Sequence, residues 1–322
     1  MSDVIAIGLN LGQRYVKASY SAASGRKDIP PFPAVIAPWN KSDDALFGKA
    51  NVDLVATVNK AQYIGGAIAD RLPMAIRQQD QGRLDESSSL YPALAQMAVQ
   101  AMGITKGGVK PKALIATAIP VAWRLHIDDA DEKIKRHIRM GLSGVLTIQD
   151  IMVVSEPNAL LASELMDDNG KQVPNKADLR DEVCIGDIGG GTINRTVLVG
   201  LKALPGQAAS PVDGSSEVVF DLMQRADMQY AEAEKRLERA VKTPGFDPLA
   251  DALLRQYREK VVGDFQRAWA TYRRAQKLFG GGTVHWVQDD LKKAFGGLCR
   301  IVEKPQQAIA IGLWRMARRK LG

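Results

Sequence analysis

Two glycine-containing turns, one in each half of the chain, carry the residue types that could do chemistry. The first lies in the run Ile5–Lys17 (IAIGLNLGQRYVK) and the second in Val183–Asn194 (VCIGDIGGGTIN). In each run an apolar segment typical of a strand ends on a polar side chain, Asn10 in one and Asp187 in the other. Glycine can adopt positive φ and lets backbone N–H groups approach a phosphate without an intervening Cβ. We therefore expect two hairpins that bind a polyphosphate from both sides, in a cleft between two related domains.

The second turn has the more distinctive composition, because an acidic residue at a strand end is followed by three consecutive glycines and a threonine. Asp187 is expected to orient a hydrated Mg²⁺ or the attacking water during phosphoryl transfer. The alternative is a plain β-hairpin with a glycine bulge. The expected phosphate-binding residues of this turn are Gly189, Gly190, Gly191 and Thr192.

The first turn is less distinctive by itself, because glycine is common in hairpins. Its similarity to the second turn favours a phosphate-binding role, in which Asn10 contacts Mg²⁺ through a water molecule. Lys17 lies on the returning strand, where its ammonium could reach a phosphate, although an isolated lysine is more often a surface residue. The expected ligand-binding residues of this turn are Asn10, Leu11, Gly12, Gln13 and Lys17.

Two further segments have residue types suited to nucleotide chemistry. Glu156 follows a predicted strand and precedes Pro157, so its carboxylate could polarise a water for attack on phosphorus. The alternative is an acidic residue that stabilises a helix N-terminus. A glycine cluster between a predicted long helix and a predicted strand could form a backbone shelf for a nucleoside, or could cap the helix. This cluster comprises Gly280, Gly281, Gly282 and Thr283.

Composition indicates a soluble, globular chain long enough for two domains. It has 322 residues, 46% of them hydrophobic and 25% charged, and no apolar run long enough to span a membrane. The N-terminal residues lack the pattern of a secretory signal. Cys184 is predicted in a strand and Cys299 in a helix, both as buried free thiols. The three histidines show no metal-ligand spacing. These features favour a cytoplasmic protein.

The formal net charge is +7, and part of it is concentrated in the last eight residues at Arg315, Arg318, Arg319 and Lys320. Elsewhere acidic and basic residues are mixed, which is typical of a solvated surface. The predicted basic helix 306–319 could bind anionic lipid or DNA. The alternative, which we favour, is that it packs as the last helix of the first domain.

Strands and helices alternate in both halves, which predicts an α/β architecture. A proline-rich segment, 29–39, is predicted as an edge strand or loop, and the polar segment 167–181 as a domain boundary or exposed excursion. A second loop is predicted at 205–216. The predicted strands are 4–9, 14–20, 113–118, 148–155 and 283–287. The predicted helices are 89–103, 129–142, 157–165, 220–278 with a break at 243–245, 289–295 and 306–319.

Taken in order, these segments resemble the superfamily of actin, Hsp70 chaperones and sugar kinases. The resemblance covers its first phosphate hairpin, catalytic linker helix, second phosphate hairpin and adenosine loop, at 5–17, 155–160, 184–197 and 279–285. Within it the chain resembles bacterial actin-like plasmid-partition ATPases of the ParM/StbA type. The landmarks of that branch are Phe32-Pro33, Tyr63-Ile64-Gly65-Gly66-Ala67, Ala118-Ile119-Pro120-Val121 and Pro305, Ala308, Ala310 and Gly312.

The resemblance implies an actin-like fold of two related domains with central mixed sheets around a nucleotide cleft. The first domain would comprise 1–160 with 300–322, and the second 161–299. It also implies binding and hydrolysis of ATP, or GTP, with Mg²⁺. Domain closure would drive head-to-tail filament assembly. The filament would act on plasmid DNA indirectly, through a DNA-bound adaptor protein, without stable membrane contact.

The chain departs from the family at Asn10 and Asn194, where the family usually carries aspartate at the first position and commonly at the second. We expect nucleotide binding to survive while metal dependence or hydrolysis is altered. Two alternatives stay open. One is a non-polymerising, sugar-kinase-like phosphotransferase, and the other is a nucleotide-binding protein with impaired hydrolysis.

Overall fold

A computed structural model describes residues 4–40, 54–77, 84–85, 87–105, 110–174, 176, 178–204, 206–209 and 214–322. The chain forms two compact units. Unit 1 comprises Met1–Val173 and Ile309–Gly322, and unit 2 comprises Pro174–Ala308. The first change of unit falls within the polar segment 167–181. Part of that segment (175 and 177) and part of the loop predicted at 205–216 (205 and 210–213) lie outside the described residues.

Unit 1 contains a mixed sheet whose inner strands are apolar along nearly their whole length. The strands of unit 1, which form this sheet and a smaller one, are β1 (Val4–Leu11), β2 (Tyr15–Ala22), β3 (Gly25–Asp28), β4 (Phe32–Pro33), β5 (Val35–Pro38), β6 (Val55–Val58), β7 (Ala61–Gly65), β8 (Ile76–Arg77), β9 (Lys112–Ile119) and β10 (Thr147–Ser155). The main sheet has the order β10-β9-β1-β2-β3, with β4 paired to β2. Strands β10, β9 and β1 are parallel, whereas β2 and β3 are antiparallel to their neighbours. The sequence VIAIGLNL of β1 is the pattern expected of a strand covered on both faces.

A smaller sheet in unit 1 has the order β6-β7-β5-β8. Strand β5 therefore has partners on both sides, so the prediction of 29–39 as an edge strand or loop is wrong for this part. The reason is that its apolar residues Val35, Ile36 and Ala37 are free of proline, and Pro38 occupies only the last position. The short strand β4 has a single partner, β2, as an edge strand does.

Unit 1 has three helices that agree closely with the predicted segments, namely α2 (Leu90–Met102), α4 (Ala130–Leu142) and α5 (Glu156–Leu165), whereas α1 (Gly66–Ala69) and α3 (Val121–His126) are not predicted from the sequence. Helix α2 ends at Gly103, which adopts the left-handed conformation typical of a helix C-terminus. Pro157 lies in the first turn of α5, where its missing N–H costs no hydrogen bond.

Unit 2 repeats the sheet topology of unit 1. Its strands are β11 (Glu182–Ile188), β12 (Ile193–Val199), β13 (Lys202–Ala203), β14 (Gln276–Gly280) and β15 (Cys299–Ile301). Its helices are α6 (Asp178–Asp181), α7 (Ser215–Ala226), α8 (Tyr230–Lys242), α9 (Pro248–Ala268) and α10 (Gln288–Phe295). The order β15-β14-β11-β12-β13 has the same sequence of parallel and antiparallel pairs as β10-β9-β1-β2-β3. The expectation of two related α/β halves is therefore confirmed at the level of topology.

An aromatic cluster fixes the centre of unit 2. The ring centroids of Phe265 and Trp269 are 4.7 Å apart, and Phe279 lies 5.2 Å from Phe265. A Cβ at Gly186 would lie 2.7 Å from the ring of Phe279, so β11 passes directly over this cluster. Packing of this kind stabilises the strand that carries Asp187.

Three predictions for this region are wrong. The stretch predicted as helix up to 278 ends in strand β14, and the strand predicted at 283–287 is instead a 3₁₀ helix, Val284–Trp286. Cys299 begins strand β15 rather than lying in a helix. A short apolar run such as Leu278-Phe279 does not distinguish a buried strand from a helix by its period. Here the pairing of β14 with two parallel neighbours decides the structure.

The last helix, α11 (Ala308–Leu321), packs into unit 1 from Ile309 onward. A Cβ at Gly312 would lie 1.8 Å from the carbonyl oxygen of Ala159, so α11 and α5 cross at backbone distance. The guanidinium of Arg315 donates to Asp168, and Lys320 forms an ion pair with Asp150. These contacts support the favoured expectation for this helix, namely packing within the fold. No helix in the described part of the chain combines the length and apolar character that crossing a membrane requires.

Candidate functional site

The first predicted hairpin is formed by β1 and β2. Asn10 pairs with Lys17 across the two strands, and Leu11 pairs with Val16. Both polar side chains of this rung are buried, with 2% of Asn10 and 9% of Lys17 exposed. The rung therefore pairs an asparagine with a lysine, one residue before the turn begins.

The second predicted hairpin, formed by β11 and β12, has the same register. Asp187 pairs with Asn194, and Ile188 pairs with Ile193. Asp187 is 4% exposed and Asn194 is fully buried. Asn10 and Asp187 thus occupy equivalent positions, as the sequence alignment predicts. Lys17 and Asn194 are equivalent as well.

The first glycine of each turn is required because a backbone carbonyl lies close to where a Cβ would be, and not because its φ is positive. A Cβ at Gly12 would lie 2.9 Å from the carbonyl oxygen of Tyr15, and one at Gly189 would lie 3.0 Å from that of Thr192. The described residues with positive φ do not include the glycines of either turn. The capacity of glycine for positive φ is therefore not used in these two turns.

The second turn is supported from behind by two other segments of unit 2. At the start of α7, the N–H of Ser215 donates to the carbonyl of Gly189 (3.2 Å), and the N–H of Ser216 donates to that of Gly190 (2.8 Å). The hydroxyl of Thr283 donates to the carbonyl of Ile188 (3.0 Å). The carbonyl oxygens of Ile188, Gly189 and Gly190 therefore accept hydrogen bonds from protein donors.

The N–H groups of the same turn are used differently. That of Gly189 donates to the carbonyl of Thr192 at 2.9 Å. Among the described residues, the N–H groups of Gly190 and Gly191 have no acceptor, and both residues are half-buried. Two adjacent N–H donors without a protein acceptor form a concavity suited to an anion.

Asp187 is held from two sides. The side-chain amide of Asn194 donates to Asp187 Oδ2 at 3.2 Å and also to the hydroxyl oxygen of Thr192 at 3.3 Å. On the other side, a Cβ at Gly281 would lie 2.6 Å from Asp187 Oδ1. Gly281 has a φ of 101°, a conformation that favours glycine. Its role in positioning Asp187 is not visible from the glycine cluster alone.

The glycine cluster 280–283 joins strand β14 to the 3₁₀ helix, so the predicted connection from a helix to a strand is wrong. Gly280 is the last residue of β14 and pairs with Asp187. The N–H of Gly281 donates to the carbonyl of Pro305 at 3.2 Å, and Thr283 is tied to the second turn as described above. The structure therefore brings this cluster and the second turn together at one edge of the sheet.

Glu156 is the first residue of α5 and follows β10 directly. It is 7% exposed. Strands β1, β9 and β10 are parallel and in register, with Leu9 beside Thr117 and Thr117 beside Val153. Their carboxyl ends therefore share one edge of the sheet, which is where ligands bind in open α/β sheets. Asn10 and Glu156 both lie at this edge of unit 1.

Sequence reasoning missed the support that α7 gives to the second turn. A Cβ at Gly214 would lie 2.3 Å from the carbonyl oxygen of Gly190, so this residue lies against the turn. The Gly214-Ser215-Ser216 sequence before an amphipathic helix is a recognisable helix start. Nothing in its spacing from 189–192 predicts that the two segments meet.

The buried carboxylate of Asp187 is of a kind that fits a hydrated Mg²⁺. Mg²⁺ prefers oxygen ligands and is often bound through one or two carboxylates, water and substrate phosphates. Asp187 supplies such a carboxylate within unit 2, and Glu156 supplies one within unit 1; both are buried. In the part of the chain that the structure describes, no three His, Cys, Asp or Glu side chains group as metal ligands.

No protein-family model and no curated protein sequence matches the chain. Several solved structures do match the chain. The apo ParM protein of psk41 is 16% identical with a TM-score of 0.72, and the match covers 98% of this chain and 97% of that one. The ParM of a 15-stranded filament from Clostridium botulinum is 15% identical with a TM-score of 0.71, covering 98% and 99%.

Bacillus thuringiensis ParM with ATP is 15% identical with a TM-score of 0.64, and the match covers 98% of each chain. Sequence identities of 15–16% show that this chain shares the fold of these proteins, and they show nothing beyond the fold. The chain has the actin-like fold, and the resemblance to ParM-type proteins that the motifs indicate is confirmed at that level.

Proposed function

We propose that this chain is an actin-like protein that binds ATP or GTP with Mg²⁺, hydrolyses it, and assembles into filaments in a nucleotide-dependent manner. The observation that carries the proposal is the pair of hairpins in equivalent register, the second of which presents two adjacent N–H donors beside a buried carboxylate. The solved structures with the same fold include a ParM bound to ATP and a ParM filament.

The two turns would bind the phosphates. In the second turn, the N–H groups of Gly190 and Gly191 are the donors, and Thr192 lies beside them. In the first, the turn residues Gly12 and Gln13 and the ammonium of Lys17 would contact phosphate oxygens. The cluster 280–283 would support the nucleoside.

Glu156 would accept a proton from the attacking water as the water oxygen bonds to the γ-phosphorus and the bond to the β–γ bridging oxygen breaks. Asp187 would orient the hydrated metal, with Asn194 and Gly281 holding its carboxylate in place. When bound, Mg²⁺ supplies positive charge that stabilises the charge developing on the phosphate oxygens.

Because filament assembly is a property of the proposed family, we propose that copies of this chain assemble with one another. We also propose, from the resemblance, that the filament segregates plasmid DNA through a DNA-bound adaptor. A cytoplasmic location is supported by the cysteines, which are both free; Cys184 is buried as predicted, whereas Cys299 is only half-buried because it begins the edge strand β15. Burial raises the pKa of Cys184 to about 12 and that of Cys299 to about 11, so both thiols stay protonated.

Substitution of Glu156 tests the catalytic assignment. We expect Glu156→Ala to abolish phosphate release, because the attacking water loses its proton acceptor, while filaments still form and persist. The measurements are phosphate release and light scattering in parallel. Glu259→Ala, which removes an exposed carboxylate on α9, is the matched control and should leave both unchanged. Rapid disassembly of the Glu156→Ala protein would contradict the role of Glu156.

A second candidate is a nucleotide-binding protein with slow hydrolysis. The observation that favours it is the amide at Asn10 and Asn194, which leaves Asp187 as the single carboxylate of the two rungs. Nucleotide binding by wild type without measurable phosphate release would support this candidate. Phosphate transfer to an added sugar without light scattering would instead support a sugar-kinase-like phosphotransferase.

A further inference from the structure

The two equivalent rungs differ in charge. In the first, Asn10 is neutral and Lys17 is positive; in the second, Asp187 is negative and Asn194 is neutral. A phosphate is attracted to the first rung and repelled by the second. A divalent cation prefers the second, because carboxylate oxygen is its preferred ligand. The charges therefore favour phosphate binding at the first hairpin and cation binding at the second.

The carboxamide of Asn10 is not used by the fold. Its Oδ1 atom is buried and has no hydrogen-bond partner among the described residues. Buried polar atoms are nearly always hydrogen-bonded, so an exception calls for an explanation. A carboxamide carries two N–H donors and an acceptor oxygen, and rotation of the amide exchanges them. Asn10 can therefore donate to a phosphate oxygen, which an aspartate carboxylate at this position cannot do.

Asn194, the buried carboxamide of the second rung, differs from Asn10 because it has protein partners. Asn194 lies in the corresponding hairpin of unit 2, and its side-chain amide donates to Asp187 Oδ2 and to the hydroxyl oxygen of Thr192. It positions the carboxylate and has a structural reason to be asparagine. Asn10 has no such protein partner within the described residues.

We infer that the first hairpin binds phosphate oxygens directly through Asn10 and Lys17, so that this chain binds nucleotide without a divalent cation. The inference rests on the proposed function, because it takes a nucleoside phosphate as the ligand. Mg²⁺ then serves hydrolysis at Asp187 and Glu156, and is not needed to neutralise the phosphates for binding.

Calorimetric titration of the full chain with ADP, in Mg²⁺ and in EDTA, tests the inference. For wild type we expect dissociation constants in the two buffers to agree within about threefold. Asn10→Asp adds a carboxylate beside the phosphates, so its affinity in EDTA should fall by about tenfold or more, the ratio that roughly 1.4 kcal/mol produces, while Mg²⁺ restores binding. Lys17→Gln should also weaken binding in EDTA, and it adds no buried negative charge.

Asn169→Asp is the matched control, because it adds the same charge at an exposed position of unit 1 and should behave as wild type. Thermal unfolding of each variant establishes that it is folded. A wild type that loses affinity in EDTA as steeply as Asn10→Asp would overturn the inference while leaving the proposed function intact. Absence of ADP binding in both buffers would overturn the proposed function and the inference with it.

Discussion

At the scale of single residues, the candidate site depends on backbone approach as much as on charged side chains. Asp187 is oriented by an amide from β12 and by the absence of a side chain at Gly281. The first glycines of the two turns are needed because a Cβ would meet a carbonyl oxygen three residues further along the chain. Small residues thereby fix where the reactive groups lie.

Gly281→Ala should reduce nucleotide affinity by about tenfold or more, because the cluster 280–283 is proposed to support the nucleoside and would be displaced. The added Cβ would displace Asp187 Oδ1 and the carbonyl of Ile188, and the positive φ would add strain of about 1–3 kcal/mol. Calorimetry with ADP and Mg²⁺ measures the effect. Gly297→Ala is the matched control, since a Cβ there meets nothing within 4 Å. Equal affinity of the two variants would contradict the positioning role of Gly281.

At the scale of elements, the sequence predicts the two hairpins and the equivalence of Asn10 and Asp187, because in both runs an apolar strand ends on a polar side chain before a glycine turn. It also predicts α2, α4, α5 and α10 to within a residue or two. It misses β14 and β15, whose short apolar runs become strands only through pairing, β14 with β11 and β15 with β14. The support of the second turn by α7 and Thr283 was equally invisible, since it joins segments far apart in the chain.

The crossing of α5 and α11 gives a test at this scale. Gly312→Ala should lower the free energy of unfolding by about 1–3 kcal/mol, because the added methyl would overlap the carbonyl of Ala159. Chemical denaturation of the full chain measures it. Gly144→Ala, where a Cβ meets nothing within 4 Å, provides the control within unit 1. An unchanged midpoint for Gly312→Ala would contradict the close packing of the basic helix.

At the scale of the whole molecule, the two units repeat one sheet topology, and each unit has a glycine hairpin at the same place in its sheet. Solved structures with the actin-like fold match the chain over nearly its whole length. A fold can carry many activities, so the assembly and the hydrolysis have to be measured for this chain.

The most direct measurement is 90° light scattering of the purified chain after addition of ATP and Mg²⁺, with electron microscopy of the same samples. We predict a nucleotide-dependent rise with visible filaments for wild type. In the same samples Asp187→Ala should abolish phosphate release, because it removes the carboxylate proposed to orient the metal for hydrolysis. A flat trace for wild type, with nucleotide bound by calorimetry, would contradict the proposal of a nucleotide-dependent filament.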